Sequence, residues 1–184
     1  FQSGAINESM SDVFGELVDQ SFVGSSNDDP SVKWQMGEDL PIGAIRSMSN
    51  PATYLQPDSM TSTYYVNYPT VDQPSYGGDN DSGGVHTNSG VQNYWFYLLA
   101  QGGNGINDLG RAFSVSGIGR EAAKQIAWRN LVYYLTASSD FEDARFYSIQ
   151  AAVDLYGLCS PQVVAVTKAW YAVGVGANYV SNAD

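Results

Sequence analysis

Ser3-Gly4-Ala5-Ile6-Asn7-Glu8-Ser9-Met10-Ser11-Asp12-Val13-Phe14-Gly15 carries a helical period. Ile6, Met10, Val13, Phe14 and then Leu17 recur at spacings of three and four, which predicts a helix over 4–19 with one apolar face. Glu8 and Asp12 lie four apart and share a face of that helix. Like charges at this spacing repel, so the face needs solvent, a cation or a hydrogen-bonding partner.

The same period returns further along. Val91, Tyr94, Trp95, Leu98 and Leu99 form an apolar stripe that Gly102-Gly103 closes. A third helix is expected from about Gly119 to Leu135, with Ala122, Ile126, Leu131 and Leu135 inward. A fourth starts at Ser139, where Glu142 would complete a capping box, and stops at Gly157. A fifth opens with Ser160-Pro161, a cap followed by a first-turn proline, and ends at Gly174. Residues 20–83 read mostly as loop, rich in Ser, Asn, Asp, Pro and Gly, with a short helix starting at Pro51 behind Asn50. The fold class is therefore mainly α: a helical bundle with a long irregular loop region between its first two helices. A loop of that length in a compact domain is usually functional.

The chain of 184 residues is the size of one domain, and 43% hydrophobic residues suffice for a sizeable core. A net charge of −11 repels phosphate backbones and anionic lipid, which argues against nucleic-acid and membrane partners. No run of about twenty apolar residues is present to span a bilayer. The single cysteine, Cys159, forms no internal disulfide and is expected to be a small packed residue. The chain opens Phe1-Gln2-Ser3, which suggests an internal piece of a longer product.

The one histidine, His86, sits in Gly83-Gly84-Val85-His86-Thr87-Asn88-Ser89-Gly90, with Asp81 five residues before it. A lone histidine cannot form a histidine metal pair within its own chain. It can donate a hydrogen bond to developing charge, oriented by a carboxylate.

Several stretches together resemble the C-terminal domain of the thermolysin-like zinc metalloproteases. They are Ser3 to Gly15, Gly37-Glu38-Asp39, Ile45-Arg46-Ser47-Met48-Ser49-Asn50-Pro51, Asp81 to Gly90, Gly117-Ile118-Gly119-Arg120, Tyr134-Leu135-Thr136 and Ala172-Val173-Gly174-Val175. The resemblance implies a domain over 1–175 and a tail or linker over 176–184. It implies that Glu8 is the third zinc ligand, that Asp12 orients one ligand histidine and that Asn7 assists the other. His86 and Asp81 then match the catalytic pair that meets the oxyanion. Arg46 matches the residue that binds a substrate carbonyl, and Ile45 the wall of an apolar pocket. Asp19, Glu38 and Asp39 match calcium ligands, though Lys33 and Gln35 replace further carboxylates, so at most one calcium is expected.

No His-Glu-x-x-His occurs here, and one carboxylate cannot hold zinc, which takes three protein ligands. The N-terminal domain that bears this motif is expected upstream. The expectation is the substrate-binding half of a secreted, extracellular zinc metalloendopeptidase, inactive alone. Its partners would be a polypeptide substrate, its own N-terminal catalytic domain and a propeptide. The first helix's apolar surface would then be exposed and favour self-association. The alternative is a non-catalytic binding or structural module, a pseudoenzyme that retains the fold.

Overall fold

A computed structural model describes residues 1–22, 33–67 and 81–180. Its elements run α1 (Gln2–Asp19), β1 (Gln35–Met36), β2 (Arg46–Ser47), a 3-10 turn (Pro51–Tyr54), α2 (Asp81–Gln101), β3 (Gly102–Ile106), β4 (Ala112–Ser116), α3 (Arg120–Tyr133), α4 (Phe141–Tyr156) and α5 (Pro161–Ala172). The mainly helical class and the five helices stand as the periodicity predicts.

Helix α2 is the centre of the bundle. Val91, Trp95, Phe96, Leu98 and Leu99 are fully or almost fully buried, as are the polar Asn88, Ser89, Gln92 and Asn93, so it is buried on nearly every side. Such a helix is stable only when others surround it. Helix α1 covers one side, α5 another, and α3 and α4 close the bundle beyond them. Trp95 stacks on Trp170 of α5 with ring centroids 4.7 Å apart. The Trp170 indole N–H donates to the Ser148 hydroxyl of α4 at 2.8 Å, so the buried ring leaves no donor unmet.

Three expectations need correction. The capping box lies one residue later, on Asp140 and Asp143 rather than Ser139 and Glu142. Ser139 is occupied in the preceding turn, where its hydroxyl accepts the Thr136 N–H at 3.0 Å. Cys159 is exposed, because it stands on the corner between α4 and α5 rather than on a helix face. The apolar stripe of α1 is not exposed: Ala5, Ile6, Met10 and Val13 are buried, chiefly against α2. Between α2 and α3, a stretch that the sequence reading leaves unassigned, the chain forms an antiparallel hairpin, with Gly102 opposite Ser116 and Ile106 opposite Ala112. Its three glycines hide the alternation that marks a strand. The Asn107 side chain organises the turn by accepting the Leu109 and Arg111 N–H groups.

In the first loop region, β1 and β2 pair with Met36 opposite Arg46. That pairing sets Arg46 beside α1. The start of a helix at Pro51 behind Asn50 is realised as the 3-10 turn, although the Asn50 side chain makes no capping bond.

Trp170→Ala should destabilise the chain by about 3–5 kcal/mol, the usual cost of removing a buried tryptophan. Urea denaturation would show it as a lower midpoint. A loss below about 1 kcal/mol would mean that the α2–α5 stack does not hold the core.

Candidate active site

Helix α2 does not begin as an ordinary helix. Asp81, Ser82, Gly83 and Gly84 have φ of 50°, 49°, 87° and 78°, a full left-handed turn before the right-handed helix. Two glycines make it tolerable. At Gly84 a Cβ would also stand 2.8 Å from the Cβ of Val66. The turn carries the Asp81 carboxylate back over the start of the right-handed helix. There Oδ2 accepts the His86 N–H at 3.0 Å and the Thr87 N–H at 3.3 Å. Oδ1 meets Nδ1 of the His86 ring. One carboxylate thus caps the helix and aims the imidazole.

The His86 carbonyl is held as well. It accepts the Gln56 side-chain amide at 2.6 Å and the Ser89 hydroxyl at 2.7 Å. Asn88 pairs its side chain with both backbone groups of Val66 at 2.9 Å, which pins the 56–67 segment to α2. The outer ring nitrogen, Nε2, lies 3.3 Å from the Glu8 carboxylate of α1. The ring itself is 58% exposed, open to a ligand. Its bond to Asp81 raises the His86 pKa, with further help from the Asp81 and Glu8 charges, against burial and Arg46.

One turn further along α1, Asp12 is buried and bound by Arg46 of β2. Arg46 Nε donates to Oδ2 at 2.9 Å and Nη2 to Oδ1 at 2.7 Å, a two-pronged pair. Asn93 of α2 donates to Oδ2 at 2.8 Å. The repulsion expected between Glu8 and Asp12 is relieved in two ways, by His86 for one and by Arg46 for the other. Ile45, beside Arg46, is 41% exposed. Asn7 is exposed, next to Glu8.

The structure therefore brings Glu8, Asp12, Arg46, Asp81 and His86 to one side of the α1–α2 pair. For zinc, the donors of this chain fit one share of a site. Glu8 is a suitable oxygen ligand, but no group of three His, Cys, Asp or Glu side chains is gathered for a metal among the described residues.

The calcium candidates Asp19, Glu38 and Asp39 line one cleft of about 370 Å³, between α1 and the segment after β1. They are not assembled as a three-carboxylate metal site among the described residues. Glu16, which the sequence reading passed over, lines the same cleft and is 3% exposed. It accepts the Trp34 N–H and the Gln20 amide, and Gln20 in turn accepts from Arg120. Burial pushes the Glu16 pKa up to about 7, with the Glu38 and Asp19 charges adding and the two hydrogen bonds opposing. Burial also raises Glu38, with Asp19 and Asp39 adding. Glu16 continues the spacing of four from Glu8 and Asp12, a signal that was present in the sequence. Nothing local marked Gln56, whose partner is thirty residues away.

A family model described as thermolysin metallopeptidase, alpha-helical domain, matches residues 1–175. A thermolysin from Alicyclobacillus acidocaldarius is 45% identical over 179 residues, covering 95% of this chain and 29% of that protein. A bacillolysin from Bacillus cereus is 40% identical, covering 95% and 28%. The chain thus spans less than a third of the length of these relatives. Among solved structures, the precursor of protealysin, a metalloproteinase from Serratia proteamaculans, superposes with a TM-score of 0.69 at 32% identity, covering 95% of this chain and 50% of that one.

Asp81→Asn should lower the His86 pKa toward its ordinary value, because the largest cause of the shift is removed. A base raised on folding contributes stability that is complete at low pH and lost as pH rises through the folded value, so the variant should also lose part of that dependence. An NMR titration of the His86 ring checks it, and an unchanged midpoint would refute the Asp81 contact. Glu16 works in the same direction of pH for a different reason. A carboxyl raised from 4.5 to about 7 stabilises fully below the lower value and loses that contribution as pH rises through the upper one. Glu16→Gln should therefore be more stable than wild type at pH 8 by about 2–3 kcal/mol, a figure discounted for the open cleft, and equal it below about pH 4. Calorimetry in calcium-free buffer reads this, and a gap independent of pH would count against it.

Proposed function

The chain belongs to the thermolysin metallopeptidase family, and we propose that it is the substrate-binding half of a secreted zinc metalloendopeptidase that cleaves internal peptide bonds before apolar residues. The observation that carries the reading is the alignment of Asp81, His86 and Glu8. A carboxylate grips the inner nitrogen of an exposed imidazole, and the outer nitrogen lies beside Glu8, the carboxylate that this reading makes a metal ligand.

Zinc, completed by two histidines from the rest of the protein, would supply a nucleophilic water at neutral pH. The residues of this chain have separate tasks. Glu8 furnishes the third ligand. Asp12 accepts from one ligand histidine and fixes its tautomer, and Asn7 assists the other. His86 keeps its proton to higher pH than a free imidazole and donates from Nε2 to the oxygen that gains charge as the peptide carbonyl is attacked. Asp81 prevents the ring from turning away. Arg46 spends Nε and one Nη2 N–H on Asp12, and its remaining N–H groups meet a substrate carbonyl. Ile45 and the exposed Leu40 give the neighbouring surface an apolar character suited to the side chain after the cleaved bond.

We also assign residues 1–175 to this domain and 176–184 to a tail or linker, and the cleft of Asp19, Glu38 and Asp39 to at most one calcium, ligated in part from outside this chain. The N-terminal domain, the propeptide and a polypeptide substrate are the proposed partners, and the extracellular space the proposed location. Alone, the chain has one zinc ligand and is inactive.

The natural full-length product should cleave an internally quenched peptide with Leu after the scissile bond, and a chelator should abolish this. His86→Ala should lower kcat by about 10²–10³-fold with little change in KM, the loss typical of one oxyanion donor. Cleavage unchanged in that variant would remove His86 from catalysis. A folded full-length product that neither binds zinc nor cleaves would favour the non-catalytic module.

A further inference from the structure

Asn93 lies seven residues after His86 on α2, so both project toward the same side, where α1 runs. The two form successive rungs across the helix pair: His86 to Glu8 at 3.3 Å, and Asn93 to Asp12 at 2.8 Å. Unlike His86, Asn93 is fully buried. Its Oδ1 meets no donor among the described residues. The amide orientation is therefore dictated by Asp12, because turning it over would set a carbonyl oxygen against the carboxylate. A buried polar side chain with one end unmet carries a desolvation penalty, so packing alone favours an apolar side chain of the same shape.

The acceptor capacity of Asp12 shows what the amide does. A carboxylate offers about four lone-pair sites, two per oxygen. Oδ2 receives Arg46 Nε and Asn93 Nδ2 and is filled. Among the described residues Oδ1 receives Arg46 Nη2 alone and keeps one site. The Asn93 amide thus locks the rotation of the carboxylate, sets the plane of the Arg46 fork, and leaves a single acceptor for one further donor.

We infer that Asn93 is a positioning residue of the active site: through Asp12 it fixes the direction of the Arg46 guanidinium and reserves Oδ1 for a ligand histidine of the zinc site. The roles of Asp12 and Arg46 in this statement rest on the peptidase reading above, whereas the restraint on Arg46 does not.

The test uses the natural full-length product with Asn93→Leu, which removes the donor at nearly constant volume. Asn93→Asp, of the same shape, replaces the donor with an acceptor and serves if the Leu variant does not fold. Each is also combined with Asp12→Ala. Two quantities are read: kcat/KM on the quenched peptide, and solvent exchange of the Arg46 Nε–H by NMR of arginine-labelled protein. The expected result is an Arg46 exchange about tenfold faster or more, and a kcat/KM about 10–100-fold lower, the usual size for a group that orients a metal site's supporting ligand. In the Asp12→Ala background the same substitution should change kcat/KM by less than about threefold, since its route is gone. A merely structural role would lower thermal stability equally in both backgrounds and leave the Arg46 exchange alone. Exchange within twofold of wild type, or a full loss of kcat/KM that persists without Asp12, overturns the inference. If the wild-type product cleaves nothing, the peptidase reading fails, and the Arg46 exchange by itself decides whether Asn93 holds the pair.

Discussion

The close packing of α1 on α2 is the constraint on which the rest of this structure depends. A Cβ at Gly4 would come within 2.5 Å of Val85 Cγ1, so the helices can meet this closely only because position 4 has no side chain. Ala5, Ile6, Met10 and Val13 of α1 are taken out of water, chiefly by α2. Each such larger side chain contributes about 1.5–3 kcal/mol, whereas an exposed pair such as Glu8 with His86 contributes about 0–1 kcal/mol. The apolar contact is therefore the cause and the polar alignment the consequence. Glu8 faces His86, and Asp12 faces Asn93, because the helices are already held in that register.

A second constraint acts at the entry to α2. Backbone in the left-handed region costs of order 1–3 kcal/mol at each non-glycine residue, and Asp81 and Ser82 both adopt it. The cap that Asp81 makes to the His86 and Thr87 N–H groups offsets part of this. The two glycines that follow reduce the rest. The site is also braced from outside the helix, by Gln56 on the His86 carbonyl and by Asn88 on Val66. The imidazole can be exposed and still oriented, because its backbone is held on both sides of the ring.

Glu8, Asp12 and Glu16 stand four apart along α1, yet their surroundings give them three different fates. Glu8 lies at the open end beside an imidazole. Asp12 is buried but meets a guanidinium. Glu16 is buried with neutral donors only, and with Asp19 and Glu38 near, so it holds its proton up to about pH 7. Burial without a cation raises a carboxyl, and burial with one leaves an ion pair. The acidity of the chain as a whole says nothing about which of these applies.

The sequence alone determined what depends on a few neighbouring residues. The five helical segments follow from spacings of three and four, and the Ser160-Pro161 start of α5 from its cap, which the Ser160 side chain makes to the Val163 N–H. The shared face of Glu8 and Asp12, and the nearness of Asp81 to His86, are also local. The family resemblance rests on such runs of adjacent residues. Tertiary structure decided what depends on two distant surfaces coming together. The partners of Asp12 lie 34 and 81 residues away, at Arg46 and Asn93, and no spacing in the chain announces them. The raised pKa of Glu16 needs the burial and the nearby Glu38 and Asp19 charges that folding brings, which outweigh the Trp34 and Gln20 hydrogen bonds. The left-handed turn looks like a plain glycine pair until Val66 packs against it. Even the capping box moved by one residue, because Ser139 had a better partner in the turn before it. Periodicity encodes which face of a helix is buried, but the identity of what covers that face is set only when all the faces pack at once.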